Sequence, residues 1–265
     1  MSLPPTQDLT APPAQSGPHQ PGASRRTSRR TLLAASAWTA PVIVVATAAP
    51  VFAASCLDAA YAITWGSSPY TRSLDESLGV ATATSSSPSA LPVLVTFARV
   101  MSGLASADAV NLTVPATTNV GGLGATARAL ALAQSMTVDQ ASRDNRQTVT
   151  ITFPLPVTNV TFHLSDIDSN DPKGGNNGFR DRVELSSGFT FTAPSPSTVI
   201  GTGVSGDPWR QSNNNDPLGV TSGTGLVRVN YAGPTTSITL TYWNAQGPDY
   251  QTVFLSNLTF TAAGC

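Results

Sequence analysis

Apolar and polar residues alternate along LPVLVTFARV (91–100), QTVTITF (147–153), NVTFHL (159–164), DRVEL (181–185), GLVRVNY (225–231), SITLTYW (237–243) and TVFLSNLTFT (252–261). A period of two puts one set of side chains on a core and the other toward solvent, so each run predicts a half-buried strand. Their Thr, Val, Phe and Tyr content suits a pleated surface, and the Gly, Pro, Asn and Ser clusters between them supply turns. In ARALALAQSM (127–136) the composition favours helix, but the alternation of Leu130 and Leu132 with alanine predicts a strand. SSSPSALP (85–92) reads as a loop. Many short strands without a long amphipathic helix predict an all-β protein, a single antiparallel β-sandwich of jelly-roll type.

The N-terminal segment follows a different logic. Residues 1–24 are rich in Pro, Gln, Ser and Gly and almost free of large apolar side chains, which predicts a disordered extension. Arg25, Arg26, Arg29 and Arg30 then precede an uncharged run from Thr31 to Ser55 that contains Val51-Phe52-Ala53. Basic region, apolar region and small-residue cleavage site stand in the order of an export signal, here 25–53. Ser28-Arg29-Arg30-Thr31-Leu32-Leu33 resembles the twin-arginine signal, an address read by the translocase that exports folded proteins. The wider RRTLLAASAWTAPVIVVATAAPVFAAS is similar to signals of secreted proteins from high-GC Gram-positive bacteria. An uncleaved anchor is the alternative, since about 20 apolar residues span a bilayer. Pro41, Pro50 and the Ala/Thr content make a weakly apolar helix, so the expectation is a cleaved signal and a secreted or surface-associated domain over 54–265.

Removing that segment changes the charge balance. The chain has 14 Lys+Arg and 15 Asp+Glu; four of the arginines and Asp8 lie before residue 54, which leaves ten basic and fourteen acidic side chains. With Lys173 the single lysine, no phosphate-tracking surface is expected, and nucleic acid is excluded as a partner. Cys56 and Cys265 are the two cysteines, one near the new N-terminus and one at the end of the chain. An oxidising environment favours a disulfide between them that staples the domain's ends; two free thiols or an interchain bridge are the alternatives.

VTITFPLPVTNVTFHLSDID, NGFRDRVEL and ITLTYWNAQGPDYQTVFLSNLTF resemble a group of secreted bacterial β-sandwich modules. In these modules a strand ending in DID is followed by a strand of the form (W/F)xDrv. The resemblance covers residues 147–261 and implies a β-sandwich and an extracellular location, with no activity attached.

The DID segment carries the first candidate chemistry. Continuing the face of Val160, Phe162 and Leu164 brings Asp166 and Asp168 into the core-facing row at the strand's end. Neighbouring carboxylates repel unless something positive or hydrogen-bonding stands between them. Calcium would suit the oxygens of Asp166, Asp168, Asn170, Asp171, Asn176, Asn177 and Asp181. An EF-hand does not fit, because Asp171 stands where that loop needs Gly and Asn177 where it needs Glu. The competing reading is a solvated turn braced by Arg180 and Arg182. In either case the loop is ordered rather than catalytic.

GDPWRQSNNNDPLG (206–219) is the second candidate. Trp209 with Arg210, Asn213, Asn214 and Asp216 would offer a sugar a flat apolar face and hydrogen-bonding partners. The competing reading makes Trp209 a cover for the core. Catalytic signals are sparse: His163 is the one histidine after residue 54, it lies mid-strand, and no G-x-S-x-G elbow or zinc-ligand spacing accompanies it. The expected function is therefore non-enzymatic: a binding or surface-associated module, calcium-stabilised if the DID loop holds the ion, with a glycan or cell-envelope component as ligand. A secreted carbohydrate-active enzyme using Asp166 and Asp181 is the alternative.

Overall fold

A computed structural model describes residues 56–136, 141–170, 178–195, 198–213, 217–219 and 221–265. All of them fall within the compact unit Phe52–Cys265. Arg29, Arg30 and the rest of residues 25–53, read from sequence as an export signal, lie outside the described residues.

The strands are β1 (Asp58–Ile63), β2 (Tyr70–Arg72), β3 (Leu78–Ser85), β4 (Val93–Ser102), β5 (Ala105–Ala107), β6 (Leu130–Met136), β7 (Arg146–Ser165) and β8 (Ser169–Asn170). They continue with β9 (Phe179–Leu185), β10 (Thr190–Thr192), β11 (Val199–Ile200), β12 (Arg210–Gln211), β13 (Val227–Tyr231), β14 (Thr235–Asn244), β15 (Gln251–Leu255) and β16 (Leu258–Ala263). Every pairing is antiparallel. The helical exception among the described residues is a 3₁₀ turn at Val120–Gly122. No helix there is long and apolar enough to cross a membrane.

Two sheets form the expected sandwich. One runs β2, β3, β4, β7, β14, β9. The other runs β10, β13, β7 and then the β15–β16 edge, where β15 also meets β6 and β16 also meets β1. Strand β7 belongs to both sheets. Its first half pairs with β4 and β14, and its second half with β13, β15 and β16.

Pro154 and Pro156 sit at the change of sheet, where β14 slips register between Thr235 and Ser237 and no regular ladder needs their missing N–H groups. Asn159 follows with φ 52° at a second register shift, against β16; asparagine tolerates this left-handed conformation. The inner face of β7 supplies Val149, Ile151, Phe153, Val160, Phe162 and Leu164 to one core shared with Phe97, Leu240 and Tyr242.

Strand β6 is buried on both faces. Leu130 and Leu132 enter the main core, while Ala129 and Ala131 pack with Phe254 against Val120 of the 3₁₀ turn and the adjoining Leu123. The two cysteines meet in the Cys56–Cys265 disulfide, with Cα atoms 5.3 Å apart and a sequence separation of 209.

Candidate functional site: a buried carboxylate network

The alternation of β7 ends at Asp166, whose φ is 65°. A single left-handed residue breaks the pleat, so the inward position passes to Ile167, which is fully buried, rather than to Asp166. The expected continuation of one carboxylate row is corrected accordingly. Ile167 N–H donates to the Gly225 carbonyl at 3.2 Å, and Asp168 is buried beside it.

From there the chain turns back as β8, which pairs with β9 through Ser169 opposite Arg180 and Asn170 opposite Phe179. This pairing brings Asp168 to Asp181. The Asp168 N–H donates to Asp181 Oδ2 at 3.1 Å, and the Asp181 N–H to the Asp168 carbonyl at 3.1 Å. Asp168 Oδ2 in turn accepts the Leu218 N–H at 2.8 Å, which ties a distant loop to the same point.

Asp181 is 0% exposed. The Tyr242 hydroxyl donates to its Oδ1 at 2.9 Å. The amide of Gln251 is assigned from its partners: its nitrogen donates to Asp181 Oδ1 at 2.8 Å, and its oxygen accepts from Gln134 Nε2 at 2.8 Å and the Asn244 N–H at 2.9 Å. Gln134 Nε2 also donates to the Tyr242 carbonyl at 3.2 Å. Asn244 Oδ1 accepts the Arg180 N–H at 3.0 Å, and its Nδ2 donates to the Gly247 carbonyl at 3.0 Å. Four strands, β6, β9, β14 and β15, are thereby joined through polar side chains inside the sandwich. Such networks fix one register because each buried donor or acceptor left over is costly.

Electrostatics follow from burial. The Asp181 carboxyl is pushed well above the usual carboxylate range by loss of water and by nearby Asp168, with the Asp168 N–H and the Tyr242 hydroxyl pulling back. Asp166 is raised to about 7 by burial and then by Asp168. Arg182, which was to brace the aspartates, donates from Nη1 to the Asp181 carbonyl at 2.7 Å. Burial first and nearby Arg210 second lower its pKa to about 10. Among the described residues no three His, Cys, Asp or Glu side chains are grouped to hold a metal, and Asp171 lies outside those residues.

The second candidate loop is organised around its indole. Trp209 is 0% exposed, packed 5.4 Å from the Phe189 ring and 5.3 Å from Phe191, and paired with Val183 through both backbone hydrogen bonds. Gly203, at φ 71°, leaves room for it, since a Cβ there would overlap the indole. Trp209 is core, and its ring has no face to offer a sugar. Arg210 Nη1 is held by Asp207 Oδ1 and the Pro208 carbonyl, both at 3.0 Å. Asn213 is exposed, and Asn214 and Asp216 lie outside the described residues. The structure brings Asp168 and Asp181 into contact and keeps Trp209 away from solvent. The partners that sequence reasoning missed are Tyr242, Gln251, Gln134 and Asn244; their one signal is a polar side chain in or beside an inward-facing row.

No family model matches the chain, and no curated protein does. Solved structures similar to it include the adhesin domain of PrgB from Enterococcus faecalis, 12% identical with a TM-score of 0.38 over 74% of this chain and 66% of that one. Another is glucan binding protein C of Streptococcus mutans, 11% identical with a TM-score of 0.38 over 76% of this chain and 60% of that one. The chain thus spans less than two thirds of either protein's length, and likeness at this level bears on neither ligand nor partner.

Proposed function

We propose that the chain is exported and works outside the cytoplasm as a β-sandwich module that binds a glycan or another cell-envelope ligand without transforming it. The observation that carries this reading is the condition of Asp181. A catalytic carboxylate must come within hydrogen-bonding reach of a substrate atom. Asp181 is fully buried, and both its oxygens accept hydrogen bonds from the fold's own donors. The Cys56–Cys265 bridge supports the location, because disulfides persist in oxidising compartments. Twin-arginine export belongs to the same reading: Arg29→Lys with Arg30→Lys is expected to hold the precursor in the cytoplasm. The binding claim is tested by native electrophoresis through gels cast with envelope polysaccharides. Retardation is expected, and migration indifferent to every polysaccharide would count against a glycan ligand.

A calcium-stabilised form of this module is favoured by one observation. Ser165 Oγ, Asp166 Oδ1 and Ser169 Oγ are buried oxygens without hydrogen-bond partners, between the end of β7 and the start of β8, where Asn170 and Asp171 follow. Calcium takes about six to eight such oxygens. Saturation at 100 times the dissociation constant would stabilise the fold by about 2.7 kcal/mol. Unfolding temperatures in EDTA and in millimolar calcium decide it, and equal values would remove the ion from the account.

A further inference from the structure

Beside the small core of Val120, Ala129, Ala131 and Phe254 lies a cleft of about 380 Å³. Leu123 and Arg128 line one part of that cleft; Thr161, His163, Asn257 and Thr259 line another. A second cleft of about 380 Å³ is lined by Gly66, Ser68, Tyr70, Arg72 and Thr113, and again by Arg128. Both volumes fall within the range of about 300–1,000 Å³ typical of ligand sites. Two clefts that share one arginine suit a ligand extended over more than one unit.

No carboxylate lines either cleft among the described residues, but Arg72 is already committed to the Ala109 and Asn111 carbonyls and to Glu76 Oε1 at 3.3 Å, so the cation with free capacity is Arg128. Arg128 makes no hydrogen bond or ion pair among the described residues, so its guanidinium donors are uncommitted. Its stem is nevertheless placed: a Cβ on Gly66 would stand 2.7 Å from Arg128 Cδ, and Gly66 has φ 85°, so a glycine there admits both the turn and the arginine. Arg228 stands across the strand pair from His163. Burial and that guanidinium lower the imidazole's pKa. Asn257 Oδ1 accepts the Trp65 N–H at 2.8 Å, leaving its Nδ2 group to donate.

The Arg128 guanidinium and the Asn257 amide, set beside the apolar surfaces of Leu123 and Leu226, complement a polyhydroxylated chain carrying carboxylates. We propose that the two clefts form one binding groove for an acidic oligosaccharide, a uronate-bearing chain whose carboxylate pairs with Arg128. This rests on the reading of the protein as a glycan-binding module and adds the ligand's class and its site.

Calorimetry on the disulfide-intact full chain tests it, with tetragalacturonate, neutral maltotetraose and polyphosphate as probes. Tetragalacturonate should bind, maltotetraose at least tenfold more weakly, and Arg128→Gln should lose roughly ten- to hundredfold in affinity, as expected for a hydrogen bond between charged groups. The unfolding temperature of Arg128→Gln should match wild type. In parallel, the His163 imidazole resonance, assigned against His163→Gln, should titrate at higher pH when tetragalacturonate is bound. Equal binding by wild type and Arg128→Gln, or an unmoved His163, would overturn the groove while leaving the binding module standing. Tighter binding of polyphosphate than of tetragalacturonate would overturn the saccharide. Absence of binding here together with indifference to every polysaccharide in the gel assay would sink both readings.

Discussion

Replacing Asp166 with asparagine isolates the energetics of the buried carboxylates. Asparagine is isosteric and tolerates the φ of 65° that ends β7, so the backbone needs no adjustment. The folded protein holds the Asp166 proton with a pKa of about 7, against an ordinary carboxyl value of 3.8. A group whose pKa is raised on folding stabilises the native state fully below its unfolded pKa and loses that contribution as pH rises through the folded one. Asp166 therefore helps most below about pH 4 and ceases to help above about pH 7. Three pKa units correspond to at most about 4 kcal/mol, and partial solvent contact reduces this to about 2 kcal/mol. Urea unfolding of wild type and Asp166→Asn in EDTA, at several pH values between 4 and 8.5, measures it. The variant should be about 2 kcal/mol more stable than wild type at pH 8.5, with the gap closing toward pH 5. Some slope should remain, because Asp181 is raised in the same direction. A variant no more stable than wild type at pH 8.5 would refute the claim that burial, rather than hydrogen bonding, governs Asp166.

Three further outcomes follow from particular contacts. Cys56→Ser with Cys265→Ser, or reduction of the wild type, should cost up to about 5 kcal/mol in the chain-entropy model, measured by urea unfolding. Arg143→Met should cost about 1–3 kcal/mol, because it strips Glu184, 3% exposed, of two hydrogen bonds at 3.0 and 2.7 Å and removes the guanidinium over Trp243; adding Glu184→Gln should recover part of the loss. Trp209→Ala should destabilise the fold by about 3–5 kcal/mol while leaving polysaccharide retention of the folded fraction unchanged, whereas a surface platform would show the reverse.

The strands read most easily from sequence are those with strong contrast between their two faces. QTVTITF and NVTFHL were legible as strands, but the prolines between them suggested a break; the prolines instead mark where one continuous β7 changes sheets. TVFLSNLTFT predicted one strand and forms two, since Ser256 and Asn257 bend out to bind His163 and Trp65. DAAYAI and LGVATATS, which become β1 and β3, were missed because their buried residues include small Ala59, Ala81 and Ala83, and their alternation with Thr and Ala has little hydrophobic contrast. ARALALAQSM shows alternation without a polar face because both of its faces are buried.

The candidate sites were legible in composition but not in orientation. One left-handed residue, Asp166, moves the following side chains out of phase; aspartate tolerates that conformation, but its presence at a strand end does not require it. Gln134, Gln147 and Gln251 look like surface residues until the register places them inside. Arg128 was invisible for the opposite reason: a lone arginine beside alanines acquires meaning only when Gly66 and His163 are brought to it from distant parts of the chain.

The most direct test of the central claim is a single incubation of the disulfide-intact protein with envelope polysaccharide, followed by sedimentation and chain-length analysis. Protein is expected in the polysaccharide fraction, with a length distribution identical to that of the untreated polymer. Shortened chains, with the shortening abolished by Asp181→Asn in a variant that still folds, would contradict it and make the buried carboxylate a catalytic one.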